Sequence, residues 1–135
     1  MIALIDTSLW VDFFRPRSSA RLKHLVSAQI LDTTAHIAEP IVFEILRNAL
    51  PSEVAYLTSR FQSLPLLPTP DDLWQQAGQL GQACRRRGHT AGALDLLIGA
   101  VAREHRAVLI TLDEDFEKIG ETGGFQVKLL RRPEG

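Results

Sequence analysis

Apolar residues recur along this chain in two patterns, which predict strands alternating with helices. Short apolar runs bounded by turn residues are typical of buried strands, and apolar residues three or four positions apart are typical of helices. The predicted strands are 2–5, a segment within 29–38, 64–68, 107–111 and 125–129. Seven helices are predicted. The first begins near residue 9 and ends at 15–17, the second begins near 22, the third runs from 40 to about 50, and the fourth begins at 52. The last three run from 71–72 to 88, from 91 to 105 and from 113 to 119.

This order of elements predicts an α/β fold. Strands separated by helices form βαβ units, and such units build a parallel sheet covered on both faces. We therefore expect a three-layer α/β/α sandwich with a mainly parallel central sheet. The length of 135 residues is close to the common size of one domain, so residues 1–135 are predicted to form a single domain.

Composition and charge narrow the possible partners and location. The 15 Lys and Arg residues against 16 Asp and Glu residues argue against nucleic-acid binding by bulk attraction, so phosphate binding requires a local patch or a bound cation. The single cysteine, Cys84, excludes an intramolecular disulfide and a cysteine-based zinc cluster. The first residues do not resemble a signal peptide, and no apolar run approaches the ~20 residues of a membrane span. A cytoplasmic protein is expected.

Two acids follow predicted strands directly. Asp6 ends the strand 2–5, and Asp113 comes just after 107–111. Ligands of parallel α/β sheets bind beyond the carboxyl ends of the strands. If these two strands are neighbours, the two carboxylates meet at that edge.

Two other acids interrupt apolar helical segments. Glu44 lies within 41–46 and Asp95 within 93–98. Burial of an unpaired carboxylate costs several kcal/mol, so a cation, a proton, backbone donors or a metal ion must offset it. Arg47, three residues after Glu44, is a possible ion-pair partner, and a cap or a buried hydrogen bond could account for Asp95.

Carboxylates gathered in one site repel one another and must protonate or share a cation. An all-oxygen ligand set suits Mg²⁺ or Mn²⁺. Such an ion activates water and stabilises a departing oxygen, which is the chemistry of phosphodiester hydrolysis and needs no protein nucleophile.

Four segments resemble the PIN-domain ribonucleases, in particular the VapC-type toxins of bacterial toxin–antitoxin pairs. They are 4–12 (LIDTSLWVD), 39–46 (EPIVFEIL), 87–88 with 94–100 (RG and LDLLIGA), and 109–116 (LITLDEDF). They occur in the family's order and span nearly the whole chain. The resemblance implies an α/β/α sandwich, endoribonuclease activity dependent on Mg²⁺ or Mn²⁺, an RNA substrate, a homodimer, and inhibition by a cognate VapB-like antitoxin.

The resemblance also assigns roles. Asp6 and Asp95 are expected to be the principal metal ligands, Glu44 to complete the acidic pocket and Asp113 to be the fourth acid. Asp115 is expected to bind the metal or to hydrogen-bond nearby backbone, and Thr7 or Ser8 to orient Asp6. The basic residues that could contact RNA phosphates are Arg47, Arg85, Arg86 and Arg87; the last three could equally complete a helix.

Other interpretations remain. An RNA-maturation nuclease or a catalytically silent Mg²⁺-binding PIN scaffold would share these motifs. A phospho-acceptor receiver domain fits poorly, because such a domain has paired acids after its first strand, whereas Asp6 is followed by Thr7 and Ser8. Asp12 is predicted to be an exposed helix residue, and Trp10, Phe13 and Phe14 to lie in the core or a dimer surface. The four histidines show no metal-ligand spacing.

Overall fold

A computed structural model describes residues 1–14, 16–32 and 34–133. Apart from the predicted strand 64–68, its strands and helices follow the predicted order, with a 3₁₀ turn at Pro51–Glu53 before the fourth helix. The elements are β1 (Ala3–Ile5), α1 (Thr7–Phe14), α2 (Ala20–Ile30), β2 (Ala35–His36), α3 (Glu39–Asn48), α4 (Val54–Gln62), α5 (Leu73–Arg86), α6 (Ala93–His105), β3 (Val108–Thr111), α7 (Asp115–Gly123) and β4 (Val127–Leu129).

The strands form one parallel sheet in the order β2–β1–β3–β4. β1 is hydrogen-bonded to β2 on one side and to β3 on the other, with Ile5 opposite Ile110. The first and third strands are therefore neighbours, as the proposed meeting of Asp6 and Asp113 requires. The predicted parallel α/β fold is confirmed.

Both faces of the sheet are covered. All three consecutive residues of β1 are buried, although successive side chains of a strand point to opposite faces. Leu109, Ile110 and Thr111 in β3 are buried in the same way. A sheet buried on both sides requires a layer of helices on each, which gives the three-layer sandwich.

The aromatic residues of α1 pack into the core and its margin. Trp10 is buried, donates its indole N–H to the carbonyl of Ile5 at 3.3 Å, and meets Phe61 edge-to-face with ring centroids 5.5 Å apart. Phe13 and Phe14 are half-buried beside it. The prediction that Trp10 belongs to the core is confirmed.

The predicted strand 64–68 is wrong as an extended strand. Leu66 forms a single parallel bridge with Ile37, flanked by hydrogen bonds from Ile37 N to Pro65 O and from Leu67 N to Ile37 O. Pro65 and Pro68 lack the N–H needed to extend a ladder.

Some predicted helix boundaries also shift. The helix predicted to begin at 52 begins at Val54, because Ser52 lies within the 3₁₀ turn. The helix predicted over 113–119 begins at Asp115 and continues to Gly123. The helix predicted to end at 15–17 is described as far as Phe14, and both Arg15 and Thr33, the latter within 29–38, lie outside the described residues.

Asp12 contradicts its prediction as an exposed residue. Its side chain is only 2 % exposed, and its Oδ2 lies 2.9 Å from Nη2 of Arg132. The ion pair joins α1 to the segment that follows β4, and it offsets part of the cost of burying the carboxylate. In the part of the chain that is described, no helix is both long and apolar enough to cross a membrane.

Candidate active site

Asp6 lies at the carboxyl end of β1, immediately before the first turn of α1. Its Oδ2 accepts a hydrogen bond from the Ser8 hydroxyl at 2.8 Å, another from the Thr111 hydroxyl at 2.8 Å, and a longer one from Ser8 N at 3.4 Å. All these donors converge on a single oxygen, and Oδ1 receives neither hydroxyl. The donors fix the orientation of the carboxylate.

The two hydroxyls also hold the loop that carries Asp113. Ser8 Oγ accepts from Leu112 N at 3.0 Å, and Thr111 Oγ1 accepts from Asp113 N at 3.0 Å. Each hydroxyl thus donates to Asp6 and accepts from the backbone after β3. The position of Asp113 is consequently coupled to that of Asp6.

Burial sets the ionisation of Asp6. The side chain is 3 % exposed, and this desolvation raises the pKa of Asp6 above its ordinary value. The hydrogen bonds from Thr111, Ser8 and the Thr7 backbone act in the opposite direction, because they stabilise the charged form.

Asp95 stands in the first turn of α6, half-buried, where the helix dipole favours a negative charge. Even so, the pKa of Asp95 is raised from 3.8 to about 7, first by burial and then by neighbouring carboxylates. In order of effect, these belong to Asp113, Asp6, Glu44 and Asp115. The other four acids of the sequence prediction therefore all lie within electrostatic reach of Asp95. We call the five acids the carboxylate cluster.

Glu44 extends from the middle of α3, a helix that packs against α1 and α6. The possible ion pair with Arg47 is absent among the described residues. The Arg47 guanidinium instead lies over the Phe43 ring, 5.9 Å from its centroid. Among the described residues no cation forms an ion pair with Glu44, and its carboxylate acts on Asp95.

Asp113 and Asp115 lie on either side of the start of α7. Asp113 Oδ1 accepts from Asp115 N at 3.0 Å, which satisfies one of the free N–H groups of the first helical turn. Asp113 is half-buried and Asp115 is exposed. Asp113 therefore has a capping contact as well as a place in the carboxylate cluster.

The remaining predicted residues divide by position. Ser8 has the geometry of the residue that orients Asp6, whereas Thr7 Oγ1 is buried without a hydrogen-bond partner among the described residues. Arg85 and Arg86 are exposed in the last turn of α5. Arg87 follows them and donates from Nη1 to the Thr122 hydroxyl at 3.2 Å. In the described part of the chain, none of these arginines forms an ion pair with the carboxylate cluster.

A family profile described as "PIN domain" matches residues 3–122 of the chain. This chain belongs to the PIN domain family. The matched segment contains all five acids of the carboxylate cluster.

Relatives within the PIN family match almost the whole chain. The "VapC ribonuclease Mb1587" of Mycobacterium bovis is 35 % identical over 136 residues, covering 95 % of this chain and 98 % of the relative. "Ribonuclease VapC11" of Mycobacterium tuberculosis matches with the same identity and coverage.

Solved structures have the same fold. The VapBC2 complex of Rickettsia felis, bound to a DNA fragment from its promoter, aligns with a TM-score of 0.75 at 18 % identity, covering 96 % of this chain and 99 % of the other. VapBC-1 of nontypeable Haemophilus influenzae aligns with a TM-score of 0.72 at 18 % identity, covering 96 % and 98 %. At these identities the likeness concerns the PIN fold alone.

The chemistry of the carboxylate cluster fits a hard divalent cation. Its candidate ligand atoms are all carboxylate oxygens, and a cation would offset both causes of the raised pKa of Asp95, its burial and the repulsion by neighbouring carboxylates. Within residues 1–14, 16–32 and 34–133, no three His, Cys, Asp or Glu side chains stand close enough to enclose an ion. Mg²⁺ retains several waters and is bound through one or two carboxylates, so two acids of the cluster would be enough to hold it.

Sequence reasoning missed Thr111. The residue is fully buried, and its hydroxyl links Asp6 to the backbone of Asp113. The available signal was a hydroxyl at the last position of an otherwise apolar strand, next to the strand that ends in Asp6.

Proposed function

We propose that this chain is a Mg²⁺- or Mn²⁺-dependent endoribonuclease of the VapC type, formed by residues 1–135 as one domain. The observation that carries the proposal is the half-buried Asp95 with four carboxylates around it: burial first, and then these neighbours, raise its pKa to about 7. Repulsion among carboxylates destabilises the folded state, and a cation that binds between them relieves the repulsion, which favours its binding. The names of the VapC relatives supply the substrate class, RNA.

The acids take unequal parts in this proposal. Asp6 and Asp95 are the principal ligands, because one is fixed by hydroxyls and the other is the centre of the repulsion. Glu44 and Asp113 complete the pocket, directly or through water. Asp115 contributes charge from the first turn of α7. Ser8 and Thr111 keep Asp6 oriented while RNA binds and leaves.

When bound, the ion supplies an activated water for attack on phosphorus and charge stabilisation for the departing oxygen. The residues of the chain hold the carboxylate oxygens in position, and no side-chain nucleophile is needed. Asp95 must be deprotonated to act as a ligand. Activity is therefore expected to rise with pH through the region of its raised pKa.

The proposal extends to partners. A cognate VapB-like antitoxin is proposed as the inhibitor, a homodimer as the assembled form, and the cytoplasm as the place of action. Arg47, Arg85 and Arg86 are exposed cations that RNA phosphates could contact, and Arg87 would first have to release Thr122.

The decisive experiment compares the wild type with Asp6→Asn and Asp95→Asn. We expect the wild type to cleave single-stranded RNA with Mg²⁺ or Mn²⁺ and to stop on addition of EDTA, and both variants to remain folded but inactive. Asp71→Asn, which removes an exposed acid outside the carboxylate cluster, is the matched control. Wild-type cleavage rates in Asp6→Asn would refute the assignment.

Two readouts separate the alternatives. A catalytically silent scaffold would show a Mg²⁺-dependent rise in Tm that Asp95→Asn abolishes, but no cleavage. A maturation nuclease would cleave RNA and yet be harmless on expression. The toxin role predicts growth arrest that co-expression of a VapB-like protein relieves.

A further inference from the structure

The segment after β4 crosses the sheet edge at which the carboxylate cluster lies. Leu130 N donates to the carbonyl of Thr111 at 2.8 Å, so the chain continues alongside the end of β3. Two residues later, Arg132 reaches Asp12 on α1. Residues 130–132 therefore pass from β3 to α1, beside the loop that Ser8 and Thr111 hold.

Arg132 is held at one end and exposed at the other. Its Nη2 lies 2.9 Å from Oδ2 of Asp12, which is 2 % exposed, whereas the Arg132 side chain is 57 % exposed. Within the described residues, the guanidinium pairs with neither Asp113 nor Glu114. A guanidinium carries five N–H donors in a rigid planar fork, so one contact with Asp12 leaves donors that can face a ligand.

Those donors border a cavity shared with the carboxylate cluster. The cavity has a volume of about 450 Å³ and is lined by Ser8, Leu112, Asp113, Glu114 and Arg132. Ser8 is the residue that orients Asp6, and Asp113 belongs to the carboxylate cluster. Arg132 supplies the positive charge in this lining, which otherwise consists of two acids, one hydroxyl residue and one leucine.

A polyanion approaching this edge meets strong repulsion. A cation bound by the carboxylate cluster would neutralise the phosphate that is cut, but the next phosphate along the strand would still face Glu114, which lines the same cavity and lies outside that cluster. An arginine is suited to that phosphate, because its fork matches phosphate oxygens with charge-assisted hydrogen bonds. A guanidinium already held by a buried carboxylate also loses little side-chain freedom when it binds.

We propose that Arg132 binds a backbone phosphate of RNA beside the carboxylate cluster, and that Asp12 is the positioning residue that holds its guanidinium there. The inference rests on the proposed ribonuclease function and deepens it, because it assigns the contact that seats the strand. A purely structural ion pair would fasten residues 130–132 to α1 but would not interact with RNA.

The test measures binding of a short fluorescein-labelled single-stranded RNA by anisotropy, with Mg²⁺, over a range of NaCl concentrations. All proteins carry Asp95→Asn to suppress cleavage. The central comparison is Asp12→Asn against Asp12→Asn/Arg132→Gln. Neither leaves a buried unpaired carboxylate, and the two differ only in the cation. Arg131→Gln is the matched control. Arg131 is also exposed, but it borders a neighbouring cavity whose lining includes neither Ser8 nor Asp113.

We expect the loss of Arg132 to raise the Kd for RNA by about tenfold, as for one charge-assisted contact. The slope of log affinity against log salt should become shallower by about 0.7, the value for one single-strand phosphate. Asp12→Asn alone should have the same salt slope as the protein with Asp12 intact, because the charge of Arg132 remains. It should weaken binding by only about threefold, because the Arg132 guanidinium is no longer held in place. Arg131→Gln should change neither quantity.

Equal Kd and equal salt slope in Asp12→Asn and Asp12→Asn/Arg132→Gln would overturn the inference, as would an equal loss in Arg131→Gln. Cleavage assays on the same substitutions with Asp95 intact keep the two proposals apart. RNA cleavage that does not depend on Arg132 refutes the phosphate contact alone. Arg132-dependent binding in the Asp95→Asn background, together with no RNA cleavage by the wild type, supports the contact and refutes the nuclease function.

Discussion

The hydroxyl of Thr111 lies 2.8 Å from Oδ2 of Asp6, although 105 positions separate the two residues in the chain. The parallel pairing of β1 with β3 makes this contact possible, because it brings the carboxyl ends of the two strands side by side. The same hydroxyl accepts from Asp113 N at 3.0 Å. One buried oxygen thus couples two acids that lie on different loops.

Replacement of Thr111 by Val should therefore impair both folding and cleavage. Valine has nearly the same shape but no hydroxyl, so Asp113 N loses its acceptor and Asp6 loses a donor. We expect the free energy of unfolding, from urea titration, to fall by about 1–3 kcal/mol and RNA cleavage to fall with it. Thr111→Ser, which keeps the hydroxyl, is the control. Equal cleavage by the Val and Ser variants would contradict this role.

The raised pKa of Asp95 predicts how the stability of the metal-free protein depends on pH. In the unfolded chain the carboxyl titrates near its ordinary value, whereas in the folded protein it keeps its proton up to about pH 7. The folded state therefore binds more protons between these values. Its extra stability is complete at low pH and is lost as the pH rises towards 7 and beyond.

This dependence is measured as the difference in free energy of unfolding between the wild type and Asp95→Asn in EDTA. We expect the wild type to lose about 1–2 kcal/mol of unfolding free energy relative to Asp95→Asn between acid and neutral pH. This value is reduced for the solvent screening of a half-buried group. Asp71→Asn should follow the wild type, and excess Mg²⁺ should remove the decline. A difference that does not change with pH would mean that the carboxylate cluster is not electrostatically coupled.

The order of elements and the edge of the sheet that carries the acids could be predicted from local sequence. Asp6 follows an apolar strand, and Asp95 interrupts an apolar helix; both signals lie within a few residues. The sequence did not predict that 64–68 forms one bridge and no longer strand. Whether its prolines interrupt a hydrogen-bond ladder depends on which residue pairs with the segment, and that residue, Ile37, is known only from the structure. Which acids bind metal stays a prediction.

Asp12 marks the limit of local reasoning. Its neighbours on α1 gave no sign of burial, and its partner Arg132 lies 120 positions away, beyond the last strand. Contacts of this kind depend on the path of the chain through three layers. The role of Thr111 was not predicted for the same reason, because its contact with Asp6 depends on the pairing of β3 with β1.

The Asp12–Arg132 pair yields a stability prediction independent of RNA. Arg132→Gln leaves a buried carboxylate without this partner, and we expect the free energy of unfolding to fall by about 1–2 kcal/mol, moderated by the exposure of the arginine. Asp12→Asn/Arg132→Gln should recover most of the loss, since no charge is left buried. Additive losses in this double-mutant cycle would show that the two side chains do not interact in solution.

The last prediction concerns α7, whose first residue, Asp115, donates its backbone N–H to Asp113 Oδ1. Gly120 lies where the helix crosses the chain near β4, and a Cβ there would stand 2.7 Å from Cγ2 of Val127 and 2.9 Å from the carbonyl oxygen of Phe125. A backbone oxygen cannot rotate away, so Gly120→Ala must displace α7. We expect a loss of about 1–3 kcal/mol in the free energy of unfolding.

Gly78, in the exposed face of α5, provides the matched control, because nothing lies within 4 Å of its ideal Cβ. Gly78→Ala should stabilise the protein by about 0.5–1 kcal/mol through the higher helix propensity of alanine. Because α7 carries Asp115 and adjoins Asp113, Gly120→Ala should also weaken the Mg²⁺-dependent rise in Tm, whereas Gly78→Ala should leave it intact. Equal stability changes in the two variants would mean that α7 does not pack this closely, and that the acids at its start are held by the Ser8–Thr111 contacts alone.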